Sequence, residues 1–236
     1  MGGVHPLSVT HDHLGVIGGT LDDVWRIASR ISLGIGSPGQ RFLTGAGDTA
    51  PAPRKPTKLI RLYLKAWEEV DAPTRAVVEE MFAWIRGQDI EVLSRDDDED
   101  VARLERMLDE GVGESIDMVA YEMKWPFVDY VERWGDKVGE RVRSLVARAE
   151  QMTPADYERI LENRLRIRTE VAEVARKADA FVTLAASGVA PLGHEFTGSR
   201  AFLVYWSWTG FPAFSLPLME VEGLPLGLQL MGVGGE

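Results

Sequence analysis

The chain has 236 residues, no cysteine and a formal net charge of −11. That composition excludes disulfide staples, thiolate nucleophiles and cysteine metal sites, and its acidic balance excludes nucleic-acid binding through a basic footprint. With 45% hydrophobic residues and no run of the ~18 apolar residues that a membrane span requires, the expectation is a soluble protein with one sizeable core.

The elements follow in chain order. MGGVHPLSVTHDH has no basic start leading into an apolar run, so it does not read as a secretory signal. Together with the missing cysteines this predicts a cytoplasmic location. Thr20 to Asp23 has the form of a capping box, and Val24, Ile27, Ala28 and Ile31 recur behind it at helical spacing. Gly34 to Lys58 is rich in Gly and Pro and reads as a loop. Leu59 to Leu64 reads as a strand, Pro73 to Arg86 as a helix ending before Gly87, and Asp89 to Leu93 as a second strand. Strand, helix, strand in that order predicts a parallel βαβ unit.

From about Asp96 to Ala178 the chain is charged, poor in strand signals and helical. Tyr157, Ile160, Leu161, Leu165, Val171, Val174 and Ala178 mark the expected buried stripe of its last helix, behind Thr153-Pro154. Strand character returns at Ala180 to Leu184 and passes into the small-residue loop AASGVAPLGHEFTGSR. After the aromatic stretch AFLVYWSW, two apolar runs, Pro212 to Met219 and Leu226 to Met231, flank Glu222-Gly223 and read as an antiparallel pair. The fold class is therefore α/β, a mixed sheet flanked by helices with a helical middle insertion. It forms a single domain, 1–236, made of an α/β part (1–95), a mostly helical part (96–178) and a strand-rich part (179–236).

Few groups carry recognisable chemistry. His11 and His13 would face the same side of a strand, but a zinc site needs a third ligand, and only His5 and His194 remain as histidines. The run Asp96 to Asp100 lacks the spaced ligands and glycine turn of a calcium loop and reads as a solvated helix start. Ser187, with His194 downstream, follows a strand. It lacks the Gly-x-Ser-x-Gly turn into a helix that presents a hydrolase nucleophile. Gly45 to Thr49 has neither the spacing nor the lysine of a phosphate loop. Phe202, Tyr205, Trp206 and Trp208 are dense enough to form core or the wall of a pocket beside the Ser187 loop.

The last third carries a resemblance. Thr197, Gly198, Phe202, Trp206, Gly210, Pro212, Ser215, Pro217, Gly223, Leu224, Pro225, Gly227, Gln229 and Gly232 fall on the C-terminal pattern of the amidase signature family. That pattern has the form T-G-D-P-x-F-N-x-P-W-T-x-x-G-x-P, then S-x-P, then G-L-P-x-G-x-Q-x-x-G. Ser199, Arg200, Leu203 and Tyr205 depart from it. Near the start, Asp12, His13, Gly15, Thr20 and Asp23 resemble the family's S-x-D-H-x-G-x-x-A-R-T-x-x-D segment, which accounts for the histidine pair without a metal.

The resemblance implies hydrolysis of an amide C–N bond by a serine nucleophile, a second serine on a cis peptide bond and a lysine base, with backbone N–H groups holding the oxyanion. No two serines are adjacent in this chain, and none of its six lysines lies in a Gly/Ser-rich loop. No catalytic residue is therefore carried over. The chain is expected to be a C-terminal portion of such an enzyme, inactive without an N-terminal part. Its expected substrate-facing residues are Phe202, Tyr205 and Trp206, with Ser187 and Gly188 in the loop beneath. The expected partner is a small amide substrate when the fold is completed, and no metal or cofactor is called for. Leu59–Leu64 and Phe181–Leu184 are expected to be left as exposed apolar edges that favour self-association. The alternative is a non-catalytic descendant that binds a ligand or a partner. Family members act on small aliphatic, aryl and fatty amides and on glutaminyl groups, and no residue here chooses among them.

Overall fold

The computed structural model describes residues 5–34 and 49–232. Most of the expected Gly/Pro-rich loop (35–48, with the Gly45 to Asp48 stretch) and the last glycines (233–236) lie outside the described residues.

Five strands form one sheet in the order β2-β1-β3-β5-β4. They are β1 (Lys58–Arg61), β2 (Glu91–Leu93), β3 (Ala180–Leu184), β4 (Ala213–Val221) and β5 (Leu224–Met231). β1 runs parallel to β2 and β3, and the β4–β5 hairpin joins β3 in the antiparallel sense. The fold is α/β with a mixed sheet flanked by helices. At the hairpin turn Glu222 has φ 52° and Gly223 φ 80°, the pair of positive angles that lets a two-residue turn follow the strand twist.

Six helices complete the described fold: α1 (Leu21–Gly34), α2 (Ala72–Arg86), α3 (Glu99–Trp134), α4 (Glu140–Glu150), α5 (Pro154–Ala175) and α6 (Val204–Thr209). α2 starts where the Asp71 carboxylate accepts from Thr74 N at 2.8 Å, and it buries Val78, Phe82 and Ile85 as its periodicity predicts. The acidic run begins α3. Asp98 accepts from the N–H groups of Asp100 and Val101, and Lys177 Nζ bridges Asp98 and Asp100 at 2.7 and 2.5 Å. The run is thus a helix cap neutralised from the far end of α5. α3 kinks at Trp125 (φ −110°, ψ 124°), where Pro126 supplies no N–H and crowds the preceding residue. α5 opens with a reciprocal capping box between Thr153 and Asp156. α3, α4, α5 and α6 pack on one another, while α2 packs against β4 and β2. At the α3–α6 crossing Gly111 is obligatory, because a Cβ there would lie 1.9 Å from the buried ring of Trp208.

The structure corrects three expectations. β1 ends at Arg61, not Leu64: Leu62 N makes a last bond to Val182 O of β3, and side chains of α3 then take the N–H groups of Tyr63, Leu64 and Lys65 off the sheet. β1 and β3 are inner strands, each paired on both sides; the edges are the three-residue β2 and the nine-residue β4. The apolar runs Leu59–Leu64 and Phe181–Leu184 are therefore not exposed edges. Along α5, Leu165 points to solvent at 65% exposure while Ile167 takes the buried place, and Ala178 lies past the helix end. Apart from these, the apolar stripe that the spacing marks on α1 is left partly open, with Ile27 48% exposed.

Candidate functional site

The parallel strands β2, β1 and β3 all end at the same edge of the sheet, where α/β folds build their pockets. Two carboxylates one turn apart on α3 organise that edge. Glu105 is buried and accepts from Tyr63 N at 2.7 Å and Leu64 N at 3.4 Å, with Arg95 at 3.2 Å beside it. Burial raises its pKa against the pull of these donors. The clamp holds Leu64 at φ 60°, a left-handed conformation that a branched side chain rarely adopts. Asp109, the next residue on that face, accepts from Lys65 N at 2.9 Å and from the Tyr205 hydroxyl at 2.7 Å. Burial, and the hydrogen bond to Asp109, raise the Tyr205 pKa, so this phenol is a neutral donor.

A cavity of about 390 Å³ opens beside this clamp. Lys65, Ala66, Glu68 and Glu69 form one wall; Val112, Gly113 and Ile116 of α3 form the floor. Ser199 to Ala201, Val204 and Tyr205 close the third side. Three of the four residues that depart from the amidase pattern, Ser199, Arg200 and Tyr205, thus meet in one place.

The structure distributes the remaining sequence candidates. Phe202 and Trp206 are buried in the apolar core, where Trp206 stacks on Phe181 with ring centroids 6.2 Å apart. Ser187 and Gly188 sit half-buried in the loop after β3, away from the cavity lining and beside Thr74 of α2. His194 is exposed, and no hydrogen bond joins it to Ser187 among the described residues. A wider hollow of about 500 Å³ is lined by Asp23, Arg26, Ile27, Arg30 and Ile31, all on the exposed face of α1. Among the described residues no cluster of three His, Asp or Glu side chains could hold a metal ion.

Two polar constellations have no motif in the sequence that spans them, although the first contains His11 and Asp12. In the first, the N-terminal segment docks on α3 and α5 through Glu122. Its carboxylate accepts from Ser8 Oγ (2.5 Å), Thr10 N (3.0 Å), Thr10 Oγ1 (2.8 Å) and Tyr157 OH (2.7 Å). Burial alone would raise the Glu122 pKa, but these donors outweigh it and hold it low. His11 lies between Ser8 Oγ (3.2 Å) and Ser115 Oγ (3.1 Å), and burial first, with Arg164 and His13 nearby, drives its pKa down to about 4. Asp12 accepts from the N–H groups of Leu7 and Ser8 and so shapes the turn. In the second, Arg61 is buried under Phe82 and Tyr63, 4.2 and 4.3 Å from their centroids, and reaches both oxygens of Glu79. Each constellation depends on a partner distant in sequence, Glu122 and Ser115 in the first and Glu79 and Phe82 in the second.

No family model matches the chain, and no curated protein does. Solved structures match. A crystal structure of an amidase superposes with TM-score 0.65 at 24% identity, over 81% of this chain and 45% of that one. A complex described as revealing the evolutionary origins of an s-triazine catabolic enzyme gives TM-score 0.68 at 18% identity, over 98% of this chain and 52% of that one. A peptide amidase bound to the inhibitor chymostatin gives 0.58 at 17%, again over 98% and 52%. The chain spans about half the length of these structures. The likeness is one of fold, and it is the fold that the C-terminal pattern resembles.

Proposed function

We propose that this chain is the later part of an amide C–N hydrolase of the amidase signature type. In this reading it supplies one wall of a substrate pocket while the nucleophile and base come from elsewhere. The supporting observation is the conjunction of a likeness in fold to a peptide amidase over 98% of the chain with the lack of adjacent serines anywhere in its sequence. Amide hydrolysis needs a nucleophile activated by a base, and donors aimed at the oxyanion. Ser187 has neither a base nor a turn that presents it. What the chain offers is the Glu105–Asp109 clamp and the walls it fixes, with Tyr205 as the substrate-facing candidate and the Ser187–Gly188 loop farther off.

The three stretches 1–95, 96–178 and 179–236 act as one domain in this reading, since strands from the first and the last share the sheet. The remaining part of the fold would pair along β4, an edge that exposes Phe214 and Leu218. Left unpaired, that edge favours self-association. The substrate is then a small amide, and the location cytoplasmic.

A second reading, a non-catalytic ligand-binding descendant, draws support from the inner position of β1 and β3, which leaves the core sheet covered without any further strand. The gene separates the two. The first reading expects an open frame upstream of the Met1 codon, encoding adjacent serines and a lysine in a Gly/Ser-rich loop, and a longer product that hydrolyses amides. A closed frame there, with no such segment encoded beside it, would overturn it in favour of the second.

A further inference from the structure

The cavity at the Asp109 clamp carries four charges that the protein leaves without ion-pair partners. Lys65 and Arg200 line it, as do Glu68 and Glu69, and among the described residues none of the four has an opposite charge within ion-pair distance. Other exposed charges among the described residues also lack ion pairs, Arg106, Glu110 and Lys137 among them; what sets this place apart is two charges of each sign lining one cavity. The guanidinium of Arg200 is partly withdrawn from water and repelled by Arg141, an arrangement that an incoming anion relieves. Between the charges lies an apolar strip, Val112 and Ile116 of α3 with Val204 of α6, all half-buried.

The walls are preorganised. One carboxylate, Asp109, holds both the backbone of Lys65 and the hydroxyl of Tyr205, so the segment after β1 and the helix α6 keep a fixed separation. A fixed cleft spends less of its binding free energy on ordering. Its volume of about 390 Å³ lies in the range of small-molecule sites.

We propose that this cavity is a binding site for a small zwitterion of the amino-acid class, its carboxylate at Arg200 and Lys65, its ammonium at Glu68 and Glu69, and its apolar side chain over Val112, Ile116 and Val204. A polyanion such as a phosphate ester is disfavoured by the two glutamates. A wholly apolar ligand would desolvate four charges without return. The assignment does not depend on amide hydrolysis, because binding needs no catalytic group.

The test is an NMR titration of the chain with L-norleucine, beside hexanoate (no ammonium) and norleucinamide (no carboxylate). Norleucine is expected to shift resonances of Val112, Ile116 and Val204, and each analogue to bind about ten-fold or more weakly for the charge it lacks. Arg200→Glu and the double variant Glu68→Lys/Glu69→Lys each abolish binding, whereas Lys137→Glu, away from the cavity, leaves it unchanged. Glu68 and Glu69 are exposed and Arg200 lies at the surface, only partly withdrawn from water, so the variants keep the fold, which circular dichroism checks. No shifts with norleucine at millimolar concentration, equal affinity for the three probes, or binding insensitive to Arg200→Glu would overturn the proposal. Amide hydrolysis by a longer gene product, or its absence, leaves this result untouched, so the two ideas fail separately.

Discussion

Helices α1 and α2 are near twins in sequence logic and differ in what covers them. Each opens on a side-chain cap, Thr20 or Asp71, and each carries an apolar stripe at helical spacing. α2 buries its stripe against the sheet, with Phe82 1% exposed. α1 leaves Leu21 at 60% and Ile27 at 48%, and among its described side chains only Ser29 is fully buried. Periodicity names the apolar face of a helix; whether another element lies against that face is a property of the whole fold. The segment leading into α1 is instead held by polar contacts with α3, Glu122 on Ser8 and Thr10 and Ser115 on His11.

That contrast breaks if substitutions in the two helices cost the same. Phe82→Ala empties a core site that also stacks on Arg61, and it is expected to cost about 3–5 kcal/mol in urea unfolding. Glu122→Ala strands the hydroxyls of Ser8, Thr10 and Tyr157 and the N–H of Thr10. It is expected to cost about 1–3 kcal/mol and to raise hydrogen exchange across residues 5–13 and in α1 while α2 stays protected. Thr20→Ala removes the α1 cap for roughly 1 kcal/mol, read as faster exchange confined to that helix's first turn. Ile27→Ala, on the uncovered face, should change stability by less than about 0.5 kcal/mol. A loss comparable to that of Phe82→Ala would show that α1 is covered in solution.

Acid sharpens the same comparison. His11 titrates near 4 when docked and near 6.5 when free, so docking favours the neutral ring. Its contribution is fully present above pH 6.5 and is lost as pH falls toward 4. Glu122, held below its ordinary value by its donors, works in the same direction, since docking weakens as it protonates. Exchange measured at pH 7.5 and pH 5, corrected for intrinsic rates, should rise selectively in residues 5–13 and in α1. Uniform change over α1 and α2 would contradict the polar tether.

What the sequence could reveal depended on how local the cause was. The β4–β5 hairpin was legible because Glu222-Gly223 and two apolar runs specify it within twenty-odd residues. The same holds for α2 and its end at Gly87. The end of β1 was not legible, because Glu105 and Asp109, far downstream, decide where the backbone leaves the sheet. Nor was the buried place of Arg61, whose partners Glu79 and Phe82 come from the following helix. At the candidate site, Tyr205 and the departures at Ser199 and Arg200 were visible as residues that break a pattern. Their convergence on one cavity needed the fold. For Trp206 and Phe202 the residues alone left core and pocket wall open and the resemblance suggested the wall; both side chains are buried.

The proposed function divides the labour: this chain would hold the walls of a pocket, and the groups that cleave an amide would come from elsewhere. The most direct measurement is amide hydrolysis by the purified 236-residue chain, followed across aliphatic, aryl, fatty and glutaminyl amides. The account predicts rates no higher than the uncatalysed background for every one of them, unchanged in Ser187→Ala. Turnover above background that disappears in Ser187→Ala would contradict it.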